Sequence, residues 1–259
     1  MRILIIGDIV GRPGRKVVKK LAPVLRDELK YDFFIANAEN AAGGKGITTD
    51  TMNEIFDSGV DVITTGDHVY QQNCAASTLE NPAIIRPLNY PDAAPGRGWT
   101  IVKSAAGIQV AVVNLLGSVF MKPVDCPFKA IDNILEEVRQ QTNIIIVDIH
   151  AEATSEKIAM GWFLNGRVSA VCGTHTHVQT ADNRILKNGT ACITDLGMTG
   201  ARDSVIGCEV KPIINHFLTG MPSRFNIAKK NVWLTGALID IDESTGKANS
   251  IDLVRKTIN

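Results

Sequence analysis

Two histidines, His175 and His177, stand one residue apart in the stretch AVCGTHTHVQTAD, directly after an apolar run. Residues i and i+2 share a face only when the chain is extended, so the two imidazoles can converge on one point only in an extended segment. Imidazole is the commonest metal ligand among protein side chains. The pair therefore predicts a metal site, and the ends of the other apolar runs decide whether further ligands accompany it.

Four other apolar runs also end in side chains that bind metals. They are followed by Asp8 after ILIIG, Glu39 and Asn40 after FFIANA, Asp67 and His68 after VITTG, and His150 after IIIVDI. The carboxyl ends of parallel strands lie at one edge of a sheet, and ligands bind there. A single strand-end aspartate is more often a turn residue, and a single histidine is more often a hydrogen-bonded core residue. The joint pattern favours a metal site.

The candidate donors are imidazoles, carboxylates and an amide, without a thiolate, and this set suits iron, manganese, zinc or nickel. Seven or eight candidate ligands exceed the number that one ion takes, so two ions sharing a bridging carboxylate fit the count better. Two-metal sites activate a water and hold the attacking and leaving oxygens in phosphoryl transfer. The fifth histidine, His216 in PIINHFLTG, is interpreted as a helix-surface residue.

Short apolar runs alternate with amphipathic stretches, which predicts the elements that position these residues. The predicted strands include RILIIGD, YDFFIANAEN, VDVITTGDH, IIRPLNYP, NIIIVDIH and VSAVCGTH, and the predicted helices are GRPGRKVVKKLAPVLRDELK, TTDTMNEIFDSG, CPFKAIDNILEEVRQQ and TSEKIAMGWFLNGR. Hairpins are predicted to turn at Ala106-Gly107, Asn188-Gly189 and Ser244–Gly246. We expect an α/β fold with two sheets packed face to face and helices outside. No linker divides the chain, so we expect one domain over residues 1–259.

Composition narrows the classes of function. The 27 basic and 27 acidic residues cancel, which gives no indication of a nucleic-acid or membrane-surface protein. Aromatic residues make up only 5%, which argues against a stacking platform for single-stranded nucleic acid. Five cysteines without a CxxC pair argue against a disulfide framework and a zinc ribbon. No apolar run approaches the roughly 18 residues of a membrane span, so we expect a cytoplasmic protein.

The ordered blocks GD at 7–8, GDH at 66–68, His150 and GTHTH at 173–177 resemble those of calcineurin-like metallophosphoesterases. The longer blocks IGDIVGRPGR, NAENAAGGKGIT, DIHAEATSEKIAMGW and GTHTHVQTADNRIL are similar to the YmdB-like bacterial branch of that family over nearly the whole chain. The resemblance implies a four-layer α/β/β/α sandwich with two mixed sheets. It also implies hydrolysis of 2′,3′-cyclic nucleotides or related phosphodiesters by a hydroxide that bridges two metal ions.

The resemblance further implies a ligand set and a catalytic residue. One ion is expected to be held by Asp8, Glu39, Asn40 and His177, and the other by Asp67, His150 and His175, with Glu39 bridging. The ions are expected to be divalent or mixed-valence, with iron first and manganese or zinc as alternatives. His68 matches the catalytic histidine, which protonates the leaving oxygen or stabilises its charge. Asp148 either orients an imidazole from behind or is a structural carboxylate.

The chain departs from the wider family in two blocks and from the branch at one residue. Val10 stands where the wider family has the second ligand of a D-x-H block, and Glu39-Asn40 replaces its GDxxD block, as is typical of the branch. Asp67 stands where the branch has asparagine. If Asp67 faces the ions, it adds a negative charge there. The alternative is that Asp67 points away, toward a basic neighbour.

Three cations are candidate phosphate ligands, each with a plain alternative. Lys45 lies in AAGGKGIT, which either offers backbone amides to a phosphate or is a flexible surface loop. Arg12 and Arg86 either bind phosphate or serve as surface charges or structural ion pairs. The expected partner is a small phosphodiester or nucleotide, with nucleic acid only as a substrate and no membrane; a homo-oligomer remains open.

Three other functions are alternatives to this one. A broad phosphomonoesterase and a nucleotide-sensing regulator with slow turnover would both keep the ligand set. A nicotinamide-binding domain is disfavoured, because GDIVGRPG lacks the G-x-G-x-x-G pattern and the clustered histidines would be unexplained.

Overall fold

The computed structural model describes residues 1–257 and contains thirteen strands and six helices. The strands are β1 (Arg2–Ile6), β2 (Asp8–Ile9), β3 (Phe33–Asn37), β4 (Val62–Thr64), β5 (Trp99–Lys103), β6 (Gln109–Leu116), β7 (Ile145–His150), β8 (Ala170–Thr174), β9 (Arg184–Ile185), β10 (Ala191–Ile193), β11 (Met198–Ala201), β12 (Val232–Ile241) and β13 (Ala248–Thr257). The helices are α1 (Gly11–Leu29), α2 (Thr49–Phe56), α3 (Ala75–Thr78), α4 (Pro127–Arg139), α5 (Thr154–Phe163) and α6 (Val210–Thr219).

The strands form two mixed sheets. The first has seven strands in the order β2-β11-β12-β1-β3-β4, with β13 pairing with β12, and the second has six in the order β5-β6-β7-β8-β10-β9. Strands β1, β3 and β4 are mutually parallel in the first sheet, and β6, β7 and β8 are parallel in the second. Each sheet therefore has one edge where several carboxyl ends meet.

Alternation along the strands separates three apolar layers, since successive side chains face opposite sides of a sheet. Ile3 and Ile5 of β1 pack between the sheets against Val110 and Val112 of β6. The intervening Leu4 and Ile6 face α1 and α2, and the corresponding residues of β6 face α4 and α5. The predicted four-layer α/β/β/α sandwich is confirmed.

The amino end of α1 packs closely against the edge of the first sheet. The amide of Gly11 donates to the carbonyl of Asn40 at 2.9 Å. A Cβ on Gly14 would lie 2.3 Å from the carbonyl oxygen of Thr199 in β11, so only glycine allows this approach. This packing holds the chain next to Asp8 against the chain at Asn40, and both residues are predicted ligands.

The three predicted hairpins are confirmed: β5 pairs with β6, β9 with β10 and β12 with β13, all antiparallel. The strand predicted in IIRPLNYP is wrong, because only one bridge forms there, between Ile84 and Ile63 of β4. Pro87 and Pro91 lack the amide hydrogens that a longer ladder needs. The short elements β2, β11 and α3 were not predicted.

His216 lies on α6, as predicted, and its Nδ1 donates to the carbonyl of Met221 at 2.8 Å. All five cysteines are free. No helix within residues 1–257 is both long and apolar enough to cross a membrane. The predicted single domain of 1–259 includes residues 258–259, which lie outside the described residues, and it stays a prediction.

Candidate metal centre

The predicted ligands come from both sheets and meet at one edge of the sandwich. In the first sheet, Asp8 begins β2, Glu39 and Asn40 follow β3, and Asp67 follows β4. In the second sheet, His150 ends β7, and His175 follows β8 directly. The strand-end rule therefore locates the residues correctly, although the strands belong to two sheets rather than one.

Four of these residues form a compact group, which we call the closed half: Glu39, Asp67, His150 and His175. One donor atom from each lies within 4.8 Å of all the others. The Nε2 atom of His150 is at the middle, 3.0 Å from Oε2 of Glu39, 3.5 Å from Oδ1 of Asp67 and 3.0 Å from Nδ1 of His175. Two carboxylates and two imidazoles at these distances are a suitable ligand set for a transition-metal ion.

A hydroxyl relay behind the closed half fixes the His150 imidazole. Its Nδ1 lies 2.9 Å from Oγ1 of Thr174, and that hydroxyl donates to Oδ1 of Asp148 at 2.7 Å. Since the hydroxyl proton is used on Asp148, Nδ1 must be the donor to Thr174, which leaves Nε2 as the nitrogen that faces the other ligands. Asp148 also accepts bonds from Asn37 and Thr64, so it is both structural and orienting.

The remaining predicted ligands, Asp8, Asn40 and His177, form what we call the open half. Nε2 of His177 lies 3.9 Å from Oδ1 of Asp8 and 3.2 Å from Nδ2 of Asn40. The other ring nitrogen of His177 donates to the carbonyl of Ile206 at 2.9 Å, so Nε2 carries the lone pair. A cation here needs the amide oxygen of Asn40, which means turning over an amide whose nitrogen now faces His177.

The open half borders a cavity of about 230 Å³. Its lining includes His177, Ile206, Trp233, Arg202 and Arg255. The Arg202 guanidinium lies over the Trp233 ring, 4.5 Å from its centroid. A larger cavity, of about 790 Å³, is lined by residues of α6 and the chain around it and contains none of the predicted site residues.

The predicted extended conformation of the two neighbouring histidines is wrong. β8 ends at Thr174, and both His175 (φ 96°) and His177 (φ 65°) are in the left-handed region. Such angles are unusual for residues other than glycine and persist where surrounding contacts enforce them. Here Thr176, between them, is held through its amide and hydroxyl by Asp195, which also pairs with Lys157 at 2.8 Å. The bend sends the two imidazoles to different halves.

Two buried carboxylate oxygens, Oδ1 of Asp8 and Oδ1 of Asp67, have no hydrogen-bond partner within the described part of the chain. One belongs to each half. Burial raises the pKa of Asp8 to about 6, although the nearby His177 and His150 counteract it. Buried polar atoms without partners are costly, and native proteins rarely contain them. A cation in each half would satisfy both oxygens, so the residues present fit two metal ions.

Glu39 lies between the halves. Oε2 contacts His150 at 3.0 Å, and Oε1 accepts a bond from Asn40 at 2.8 Å. Burial alone would raise the pKa of Glu39, but the charges and hydrogen bonds of His150 and His68 outweigh it and hold the pKa well below its usual range. Glu39 is therefore a charged carboxylate within reach of both ligand groups, which is the placement that a bridging ligand needs.

His68 lies against Glu39 and is only partly buried. Its Nδ1 is 3.1 Å from Oε1 of Glu39 and 3.0 Å from Oδ1 of Asn40. The hydrogen bond to Glu39 raises the pKa of His68, and burial opposes it more weakly. Its Nε2 makes no hydrogen bond within residues 1–257; the nearby Oδ2 of Asp67 is 3.8 Å away. This nitrogen is free to act on a bound molecule.

The two oxygens of Asp67 face different ways: one faces the metal centre, and the other faces a basic neighbour. Its Oδ1 faces the closed half, whereas Oδ2 lies 3.9 Å from Nζ of Lys122, which also donates to the Asp67 carbonyl at 2.5 Å. Lys122 was not predicted. It follows the carboxyl end of β6, so the strand-end rule, applied to that strand too, would have pointed to its loop. Thr174, inside the GTHTH block, was also missed.

The three candidate phosphate ligands make no hydrogen bond or ion pair with either half within residues 1–257. Arg86 is buried and donates to the carbonyls of Pro87, Leu88 and Ala94, which favours its structural alternative. Lys45 and Arg12 are exposed. A role for any of the three in phosphate binding stays a prediction.

Comparisons with known proteins agree with this geometry. The sequence model of a family described as "YmdB-like protein" matches residues 4–254. The chain is 48% identical over 255 residues to a 2′,3′-cyclic-nucleotide 2′-phosphodiesterase of Bacillus subtilis (strain 168), covering 98% of this chain and 96% of that protein.

Two solved structures have the same fold over almost the full length. A hypothetical protein from Thermus thermophilus superposes with a TM-score of 0.93 at 39% identity, covering 99% of each chain. A structure described as a novel phosphatase of Mycoplasma pneumoniae superposes with a TM-score of 0.92 at 32% identity, covering 99% of this chain and 93% of that one.

Proposed function

The chain belongs to the YmdB-like family, and on that premise we propose that it is a metal-dependent phosphoric ester hydrolase that cleaves 2′,3′-cyclic nucleotides or related phosphodiesters. The similarity to the Bacillus subtilis phosphodiesterase supports the substrate class. The observation that carries the metal requirement is the pair of unpartnered buried oxygens, on Asp8 and Asp67, one on each side of Glu39. A single ion would leave one of them unsatisfied.

The closed half would hold one ion and the open half the other, with Glu39 within reach of both. Bound ions would make a water more acidic and neutralise charge on the phosphoryl oxygens. Iron is our first expectation, with manganese or zinc as alternatives, because all three accept imidazole and carboxylate ligands. The residues behind the ligands, above all Thr174 and Asp148, keep Nε2 of His150 aimed at the centre.

His68 is the proposed general acid. Its Nδ1 is fixed by Glu39, so its Nε2, which makes no hydrogen bond within residues 1–257, is left to carry a proton. As the water oxygen bonds to phosphorus, the bond from phosphorus to one ribose oxygen breaks; Nε2 gives that oxygen its proton, and the proton that the water loses passes to solvent. Glu39 raises the pKa of His68, which favours the protonated form that a general acid needs.

A substrate panel tests this function. We expect the metal-loaded protein to hydrolyse 2′,3′-cyclic AMP with a higher kcat/KM than 3′,5′-cyclic AMP or p-nitrophenyl phosphate, and to lose activity after chelation. Return of activity on adding Mn²⁺ or Fe²⁺ to the chelated protein is the control. Preference for the phosphomonoester would favour a broad phosphomonoesterase, and full activity in the chelated protein would refute the metal requirement.

The cytoplasmic location and a homo-oligomeric state stay predictions. Free cysteines are typical of a reducing compartment, and all five are unpaired here.

A further inference from the structure

Residues 117–122, GSVFMK, form a loop after β6 that we call the rim loop. Phe120 is 89% exposed, more than any other large apolar side chain within residues 1–257. Its backbone φ is 61°, in the left-handed region that phenylalanine rarely adopts. A strained turn that exposes an aromatic ring needs a physical reason.

Both ends of the rim loop are attached to the closed half. The amide of Gly117 donates to the carbonyl of His150 at 2.9 Å, and Nζ of Lys122 donates to the carbonyl of Asp67 at 2.5 Å. The three steps from Gly117 to Phe120 span at most about 10 Å of chain. Phe120 therefore stands beside the metal centre, within the reach of a nucleotide whose phosphate is bound there.

The rim loop is anchored by a buried carboxylate. Glu156 of α5 is 6% exposed, and its oxygens accept bonds from the Ser118 amide at 2.9 Å, the Ser118 hydroxyl at 2.9 Å and the Val119 amide at 3.3 Å. No basic side chain of residues 1–257 lies within ion-pair distance of it. A buried charge held only by this loop is costly unless the loop is fixed, so the contacts preorganise the two residues before Phe120.

Lys122 is the charged member of the rim loop. Its side chain is 47% exposed, and Nζ lies 3.9 Å from Oδ2 of Asp67. Exposed ion pairs at this separation are weak, so the ammonium can leave Asp67 for a stronger anion at little cost. A lysine at the edge of a site acts as a point charge for phosphate.

We propose that the rim loop is the nucleotide-recognition element of this centre: the Phe120 ring stacks on the nucleobase while Lys122 pairs with the phosphate. The inference rests on the proposed function, because it assigns the base and the phosphate of its substrate. A nucleotide joins an aromatic base to an anionic phosphate, and the loop presents an exposed ring and a half-exposed cation two residues apart. A second copy of this chain, docked on the loop, would cover the Phe120 ring. It would give no role to the Lys122 ammonium, which lies beside the metal ligand Asp67.

Two substrates with the same cyclic phosphate separate the two roles. 2′,3′-cyclic AMP carries a base, whereas glycerol 1,2-cyclic phosphate has the same five-membered ring and no base. Phe120→Ala should lower kcat/KM for the nucleotide about tenfold, within the range of a lost base-stacking contact, and change that for the glycerol compound less than about twofold. Phe120→Trp should restore the nucleotide value.

Lys122→Met should lower kcat/KM for both substrates by a similar factor, and Lys122→Arg should restore most of it. Metal content measured in each variant shows whether Asp67 still serves its ion. Phe217→Ala on α6 is the matched control, because Phe217 is 79% exposed and its ring contact is with His216 rather than with a residue of either half. It should change kcat/KM for neither substrate.

Binding measurements keep the inference falsifiable even if turnover is slow. In calorimetry with the metal-loaded protein, Phe120→Ala should weaken adenosine 3′-monophosphate about tenfold and leave glycerol 2-phosphate unchanged. Equal losses for both ligands, or no loss for either, would overturn the proposal. Unchanged binding together with an altered oligomeric state would overturn it too, by making Phe120 a contact between copies. Wild-type protein that binds the nucleotide but hydrolyses neither substrate would instead refute the proposed function alone.

Discussion

The closed and open halves of the metal centre use similar residue types but are organised differently. In the closed half, four donor atoms lie within 4.8 Å of one another, and a relay through Thr174 and Asp148 fixes the central imidazole. In the open half, Asp8 and His177 are 3.9 Å apart, and the Asn40 amide presents its nitrogen. The closed half is preformed, whereas the open half must adjust before it binds.

The difference follows from where the ligands stand in the fold. In the closed half, His150 is the last residue of β7 and His175 directly follows β8, so the second sheet fixes both imidazoles. Asn40 and His177 lie in connecting chain, and the open half borders a cavity. Since a site already in its bound geometry has less reorganisation free energy to supply, we expect the closed half to bind its ion more tightly.

The largest effect should come from removing the carboxylate that belongs only to the closed half. Asp67→Ala should lose that ion and lower kcat about 10⁴-fold or more, because an ion at such a site contributes several kcal/mol to the transition state. Asp67→Asn keeps a carbonyl oxygen at the same place, so it should keep both ions and lower KM through the lost negative charge. Metal analysis and steady-state kinetics measure both. Two ions in Asp67→Ala would remove Asp67 from the ligand list.

A His68 variant tests whether this residue, which contacts Glu39, is a metal ligand or a catalytic residue. His68→Ala should keep both ions and the folded state while lowering kcat by about 10²–10⁴-fold, the range for lost acid–base help. Metal content and circular dichroism are the controls. Loss of an ion from this variant would make His68 a ligand and refute its role as a general acid.

The hydroxyl relay should matter to one half only. Thr174→Val removes the acceptor of the His150 Nδ1 proton, so the closed half should lose about 10–100-fold in metal affinity while the open half is unchanged. Thr174→Ser keeps the hydroxyl and is the matched control. Metal titration of the three proteins decides the result, and equal weakening of both halves would show a general loss of structure instead.

The smallest effect on catalysis should come from Arg86. Its guanidinium donates to three backbone carbonyls, so Arg86→Met should lower the free energy of unfolding by about 1–3 kcal/mol. KM should stay within about twofold, in contrast to Lys122→Met. Denaturant titration and kinetics measure the two quantities. A large rise in KM with unchanged stability would instead support Arg86 as a phosphate ligand.

The sequence predicted those parts of the fold and site that regular structure determines. The alternation of apolar runs was enough for the two sheets and the outer helices, because each strand face needs an apolar partner layer. Strand ends then located Asp8, Glu39, Asp67 and His150, since parallel strands bring their carboxyl ends together. The strand in IIRPLNYP failed because its two prolines leave no ladder to form.

The rest depends on contacts between distant parts of the chain, which leave no local pattern. Lys122 and Asp67 are 55 residues apart, and Ser118 and Glu156 are 38 apart. The left-handed bend at His175 and His177 also has no local signal, because neither residue favours that conformation and the enforcing contact comes from Asp195. Sequence therefore indicated which residues meet, but not how the two halves differ.

The most direct test of the central claim is a calorimetric titration of the metal-free protein with Mn²⁺. The account predicts two ions per chain that bind in two resolved steps, and the tighter step should disappear in Asp67→Ala. A single step with one ion per chain in a fully active protein would contradict it.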